Sequence, residues 1–158
     1  SHRGGFGEIS VARAFEVSSN TAFSKFIYQG YKDNPEAFVD RLDYMGLNKK
    51  IGLAIKGEGT PKIPHPDDSN WYGTTLPWMS FGYGVAITPL QTLAFYNAIA
   101  NDGLMIKPRL IKEVRNRDRI IHDYNEPVVQ NSVCSKETAA KVREMMKNTV
   151  KNTMKLNL

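Results

Sequence analysis

From Ser69 to Asn101 the chain carries no Asp, Glu, Lys or Arg. A soluble domain leaves so long a stretch without charge only where other parts of the chain cover it. Gly73, Pro77, Gly82, Gly84 and Pro89 interrupt the run, so it never offers the roughly 18 continuous apolar residues that would span a bilayer. It reads as protein core. Within it, Thr88-Pro89-Leu90-Gln91 spells a helix start. Thr88 caps, Pro89 presets the first-turn φ, and Gln91 closes a capping box. The helix is expected to run to about Asn101 and to stop at Asp102-Gly103. Because it holds no charge at all, it is predicted to be buried on nearly every side.

The flanking sequence is helical before this helix and mixed after it. Ile9 to Phe15 suits a short helix capped by Ser10, and Phe23, Phe26 and Ile27 mark a second one at i, i+3, i+4. Asn34-Pro35 opens a third, with Phe38, Leu42 and Met45 as its expected buried stripe and Gly46 as its stop. Gly57 to Gly73 holds Gly59, Pro61, Pro64 and Pro66, which predicts a long loop. Apolar residues from Leu104 to Tyr124 flank the polar Asn116-Arg117-Asp118-Arg119, the pattern of a β-hairpin. Ser135 is placed to cap a last helix with Ala139, Val142 and Met146 on one face. The expected fold is mainly α with one β-hairpin, divided into a helical part over 8–103, a hairpin over 104–124 and a C-terminal helix over 135–152.

Composition narrows the function classes. The 158 residues suffice for one domain or a large part of one. The net charge of +5 is concentrated at the end, where residues 103–158 hold 12 Lys/Arg against 6 Asp/Glu. These charges are not interleaved with aromatics after Tyr124 and fall where a solvated helix puts them, so nucleic acid is not the expected partner. Cys134 is alone and His2, His65 and His122 are scattered, which leaves no sequence pattern for a disulfide or a metal site. No signal peptide or membrane span is visible.

Three constellations are candidates for chemistry. Ser18-Ser19-Asn20 places a hydroxyl and a carboxamide two residues apart at a helix junction, where a Ser relays a proton and an Asn pairs with a peptide bond. A helix cap accounts for the same residues, and local sequence favours that reading. Ser80-Phe81-Gly82-Tyr83-Gly84 lacks the Lys-Ser/Thr of a phosphate loop and is expected to be a buried turn feeding the Thr88 helix. Glu58, Asp67 and Asp68 read as solvated loop charges.

Order and spacing change the weight of the first. Phe15-Glu16-Val17-Ser18-Ser19-Asn20-Thr21 resembles the second active-site motif of class B penicillin-binding proteins. About sixty residues later, Met79 to Gln91 is similar to that family's glycine turn and Thr-Pro-Leu-Gln helix start. Tyr96 to Gly103 matches the end of the same helix, and Lys107 to Ile111 resembles the strand that follows. The likeness extends over roughly Gly5 to Lys151. It implies that the chain is part of an α/β transpeptidase domain, namely its helical subdomain, and that Ser18 and Asn20 are active-site residues.

The family's transpeptidases use Ser-x-x-Lys, Ser-x-Asn and Lys-Thr-Gly motifs. The first supplies a nucleophile that attacks the penultimate D-Ala carbonyl of a peptidoglycan stem peptide, and β-lactams imitate the D-Ala-D-Ala end. Only the middle motif maps here. No Ser has Lys three positions on (Ser10 is followed there by Arg13) and no Lys precedes Thr-Gly or Ser-Gly. The chain is therefore expected to be cut from the middle of the domain and inactive alone. Residues Thr153 to Leu158 depart from the family's approach to the third motif. The resemblance implies no cofactor, a parent anchored by an N-terminal membrane helix and facing the periplasm, and partners among division or elongation proteins. The long loop and the Ser-Phe-Gly-Tyr-Gly form lean toward division. Exposed sheet-facing apolar surface would favour self-association. The alternative is a helical binding or sensor module with a degenerate form of the same fold.

Overall fold

The structure, a computed structural model, describes residues 5–53 and 56–156. Six helices and four short strands follow in the order α1 (Val11–Glu16), α2 (Asn20–Tyr31), α3 (Pro35–Tyr44), α4 (Thr75–Met79), α5 (Pro89–Ala100), β1 (Leu104–Ile106), β2 (Glu113–Asn116), β3 (Arg119–Asp123), β4 (Val129–Ser132) and α6 (Lys136–Leu156). The helix starts follow their capping residues. Ser10 Oγ accepts from Arg13 N, Asn34 Oδ1 from Ala37 N with Pro35 in the first turn, and Ser135 Oγ from Thr138 N.

Helix α5 organises the core. Its capping box is complete, with Thr88 Oγ1 accepting from Gln91 N and Gln91 Oε1 accepting from Thr88 N at 2.8 Å. Gln91 is the buried polar side chain of the core, and its Nε2 donates to the Lys49 carbonyl at 2.7 Å. One residue thus caps α5 and pins the segment after α3, and among the described residues no buried side-chain N or O atom lacks a hydrogen-bond partner. Ala98 and Ile99 meet Met105 of β1 and Val133, with Met45, Phe95, Cys134, Val142 and Met146 packed around them. Burying side chains the size of Ile99, Met105 and Val133 contributes about 1.5–3 kcal/mol each. Ala139 of α6 is also buried, as its place on the apolar face of that helix predicts.

Four expectations need correction. The hairpin is β2 with β3, joined at Arg117-Asp118, and is shorter than 104–124. Leu104–Ile106 pairs instead with β4, antiparallel, as a separate two-stranded ladder. Strands of three or four residues carry too little alternation to reveal that partnership. Helix α5 is not buried all round: Gln91, Ala94, Ala98 and Ile99 face the core, while Leu93 and Tyr96 remain 55% and 52% exposed. Lack of charge marks faces meant to be covered, and within these residues one face is covered. In α3, Val39 is the buried residue, and Phe38, Leu42 and Met45 are half-buried around it. The Ser80 to Gly84 turn lies at the surface, with Tyr83 62% exposed and stacked edge-on against Trp78 at 4.8 Å.

Helix α5 ends as its sequence predicts. Asp102 and Gly103 both take positive φ, 53° and 90°, and Gly103 N donates back to Ala98 O at 2.8 Å. That bond closes the helix end from the second residue beyond the cap. Asp102 then serves as an anchor for α6: its carboxylate meets Arg143 at 2.9 Å and Lys136 at 3.1 Å, and Arg143 also donates to the Ile99 carbonyl at 2.8 Å. Hydrogen bonds from Lys136 and then Arg143 hold the Asp102 carboxyl below the ordinary aspartate value of 3.8. Its stabilising contribution is therefore complete above the unfolded-state value and is lost as pH falls through the lower folded value. Asp102→Asn keeps a residue that tolerates left-handed backbone and removes only the charge. The melting temperature of the variant is expected to fall below that of the parent chain at neutral pH, with the gap closing in acid beneath the usual aspartate range. A gap that persists there means that the charge is not what Asp102 contributes.

Candidate functional site

Ser18, Ser19 and Asn20 lie where α1 hands over to α2, and each does something different. Ser18 N donates to Phe15 O at 3.0 Å and Ser19 N to Ala14 O at 2.9 Å. This is the paired closure of a Schellman motif, whose left-handed position usually holds Gly. Here that position is Ser18, at φ 50°. Ser19 completes the closure and then begins the next helix, its Oγ accepting from Ala22 N. Asn20 is the first residue of α2.

The capping duty therefore falls on the middle residue alone. Ser18 and Asn20 flank it with exposed side chains, and neither side chain hydrogen-bonds to another group among the described residues. A seryl residue held in the left-handed region costs about 1–2 kcal/mol relative to Gly. The junction withstands this because it is braced on both sides. Phe15 of α1 meets Phe23 of α2 edge-on at 6.1 Å, and Phe23 meets Phe26 at 6.4 Å. Ala14 is fully buried, and α1 packs on α6. One turn into α2, Ser24 Oγ donates to the Pro77 carbonyl of α4 at 3.1 Å, and Ser80 Oγ donates to the same oxygen at 2.6 Å. Residues of the glycine turn and of the Ser-x-Asn helix thus share one acceptor.

Glu58 is not the solvated loop charge that its sequence context predicts: it has a structural role. Its carboxylate accepts from the consecutive amides of Ile51 (2.5 Å), Gly52 (3.1 Å) and Leu53 (3.1 Å). Partial burial opposes its ionisation, but those three amides and nearby Lys50 prevail and hold the carboxyl below the ordinary glutamate value of 4.5. Sequence reasoning missed it because the amides converge only once Gly52 adopts φ 76°. Among the described residues no group of three or more His, Cys, Asp and Glu is placed to hold a metal ion, and no helix is long and apolar enough to cross a membrane.

The family profile described as penicillin binding protein transpeptidase domain matches residues 2–156. The chain belongs to the penicillin-binding protein transpeptidase family. As a penicillin-binding protein sequence it is 34% identical over 116 residues to the penicillin-binding protein PbpB of Mycobacterium tuberculosis, covering 73% of this chain and 17% of that one. In structure it is similar to penicillin binding protein 3 of Mycobacterium tuberculosis solved with aztreonam, at TM-score 0.71 and 31% identity over 86% of this chain and 29% of the other. It is also similar to PBPA of Mycobacterium tuberculosis, at TM-score 0.79 and 25% identity over 94% and 33%. The chain thus spans under a quarter of the PbpB length and about a third of these solved chains. The helix-rich arrangement with small two-stranded ladders is the fold that these residues share with them.

Proposed function

We infer that Ser18 and Asn20 are the Ser-x-Asn pair of a serine D,D-transpeptidase centre that cross-links peptidoglycan stem peptides. One observation carries this reading: Ser19 alone caps α2, which releases Ser18 and Asn20 from the structural duty that would otherwise explain them. In the reaction, a serine hydroxyl from a Ser-x-x-Lys segment attacks the carbonyl of the penultimate D-Ala. The C–N bond to the terminal D-Ala breaks, and the departing amine needs a proton. Ser18, beside the nucleophile and its lysine, passes that proton on. Asn20 hydrogen-bonds the amide of the donor peptide and fixes its register. A second strand's amine then attacks the acyl-enzyme and restores the free serine. β-Lactams enter by the same first step. The complete protein is placed at the periplasmic face of the membrane by an anchor.

Neither Ser-x-x-Lys nor Lys-Thr/Ser-Gly occurs in these 158 residues. The chain by itself is accordingly expected to form no acyl-enzyme. Incubation with a fluorescent penicillin followed by a denaturing gel tests this, and a covalently labelled band at 17.8 kDa would sink it. The same experiment on the protein encoded with its flanking codons separates an active transpeptidase from a non-catalytic sensor with the same fold.

A further inference from the structure

The segment that follows α3 runs past α5 without joining a sheet, and side chains hold it in place. Asn131 Nδ2 donates to Tyr44 O at 2.6 Å, Gln91 Nε2 to Lys49 O at 2.7 Å, and Gln130 Nε2 to Ile51 O at 3.4 Å. Three carboxamides thus take carbonyls from the last residue of α3 to Ile51. Its near end closes on α3 through the amides of Met45, Gly46 and Leu47, whereas the amides of its far end, Ile51, Gly52 and Leu53, are held by one carboxylate, Glu58. That end also has a second role. Gly52 and Leu53 form one wall of an apolar groove of about 920 Å³ whose other walls include Leu90 and Leu93 of α5, Ile106 and Val128.

We propose that residues 51–53 are a strap closed against the α5 groove by Glu58, and that releasing this carboxylate opens the groove while the rest of the fold stays intact. The asymmetry of the pins supports this. The carboxamides anchor the near part of the segment to α5 and β4, both tied to the core. Glu58 lies on the loop beyond the strap, so its loss frees Gly52 and Leu53 without touching the core side. Ile51 is buried at 8% exposure and marks the hinge, whereas Gly52 is exposed. A single carboxylate accepting from three adjacent amides is a charge-assisted arrangement that no neutral side chain reproduces.

Hydrogen exchange on the 158-residue chain tests the strap. Glu58→Gln keeps the size of the side chain but turns an amide NH2 toward backbone N–H groups. It is expected to raise exchange at the Gly52 and Leu53 amides by about tenfold or more, with Ala139 and Val142 of α6 unchanged. Binding of the apolar dye anilinonaphthalene sulfonate should rise in parallel as the groove opens. Glu58→Asp, which keeps the charge but withdraws it by one methylene, should lie between the two. Unchanged exchange at Gly52 and Leu53 overturns the strap, and so does an equal rise in α6, which would make Glu58 a support of the whole fold.

Discussion

Gly103→Ala is expected to destabilise the chain by roughly 3–5 kcal/mol, the sum of left-handed backbone strain and of a clash that cannot relax. In a chain of this size that is a fall of about 10 °C in melting temperature. Gly103 has φ 90° and is buried, and a Cβ added there would fall inside the van der Waals envelope of the Cys134 carbonyl oxygen. Neither side can yield easily. Gly103 is held by its own N–H to Ala98 O and by its carbonyl to Val133 N, both at 2.8 Å, so moving it pulls on the end of α5 and on the residue at the centre of the core. Gly82 supplies the control. It has nearly the same φ, 89°, but nothing within 4 Å of an added Cβ, so Gly82→Ala should show the backbone strain alone, about 1–2 kcal/mol. Thermal unfolding of both variants separates the two costs. Equal losses would show that the close approach to Cys134 does not matter.

The reach of the sequence followed the range of the interactions. Thr88 and Gln91 announced α5, and Asp102-Gly103 its end, because capping and termination are settled within four residues of chain. Ser10 and Asn34-Pro35 were legible for the same reason. Strand β4 was not: Val129–Ser132 acquires its identity from Leu104–Ile106, far back along the chain, and no local period marks it. The exposed side of α5 was misjudged because an uncharged helix reveals that it is to be covered, not by which residues. Glu58 was illegible because its ligands are backbone amides, which every residue type carries. Among Ser18, Ser19 and Asn20 the sequence offered both a cap and a site. Which residue capped depended on where the last turn of α1 closed, and that in turn depended on Phe15, Phe23 and buried Ala14.

Ser18→Gly follows from that division of labour, and stability and activity should move in opposite directions. In the 158-residue chain, Gly relieves the left-handed strain at φ 50° and removes a side chain with no hydrogen bond among the described residues. Stability should rise by about 1 kcal/mol, or about 2–4 °C in melting temperature. In the complete protein the same change deletes the hydroxyl proposed to relay the proton, and on that reading acylation by a fluorescent penicillin should slow by about 10²–10⁴-fold. Asn20→Ala should also slow acylation, with no gain in stability, because Asn20 already sits in helical backbone and α2 keeps its cap at Ser19. Ser19→Ala is the contrasting variant. It removes the cap and should cost about 1 kcal/mol while leaving Ser18 and Asn20 chemically intact. If Ser18→Gly gained stability without losing acylation, the left-handed serine would be an accident of the Schellman turn and not part of the centre. If instead it lost both, Ser18 would be holding the junction together, and the strain argument would fail. The trade of stability for a correctly aimed hydroxyl is the signature that separates a working Ser-x-Asn from three polar residues between two helices.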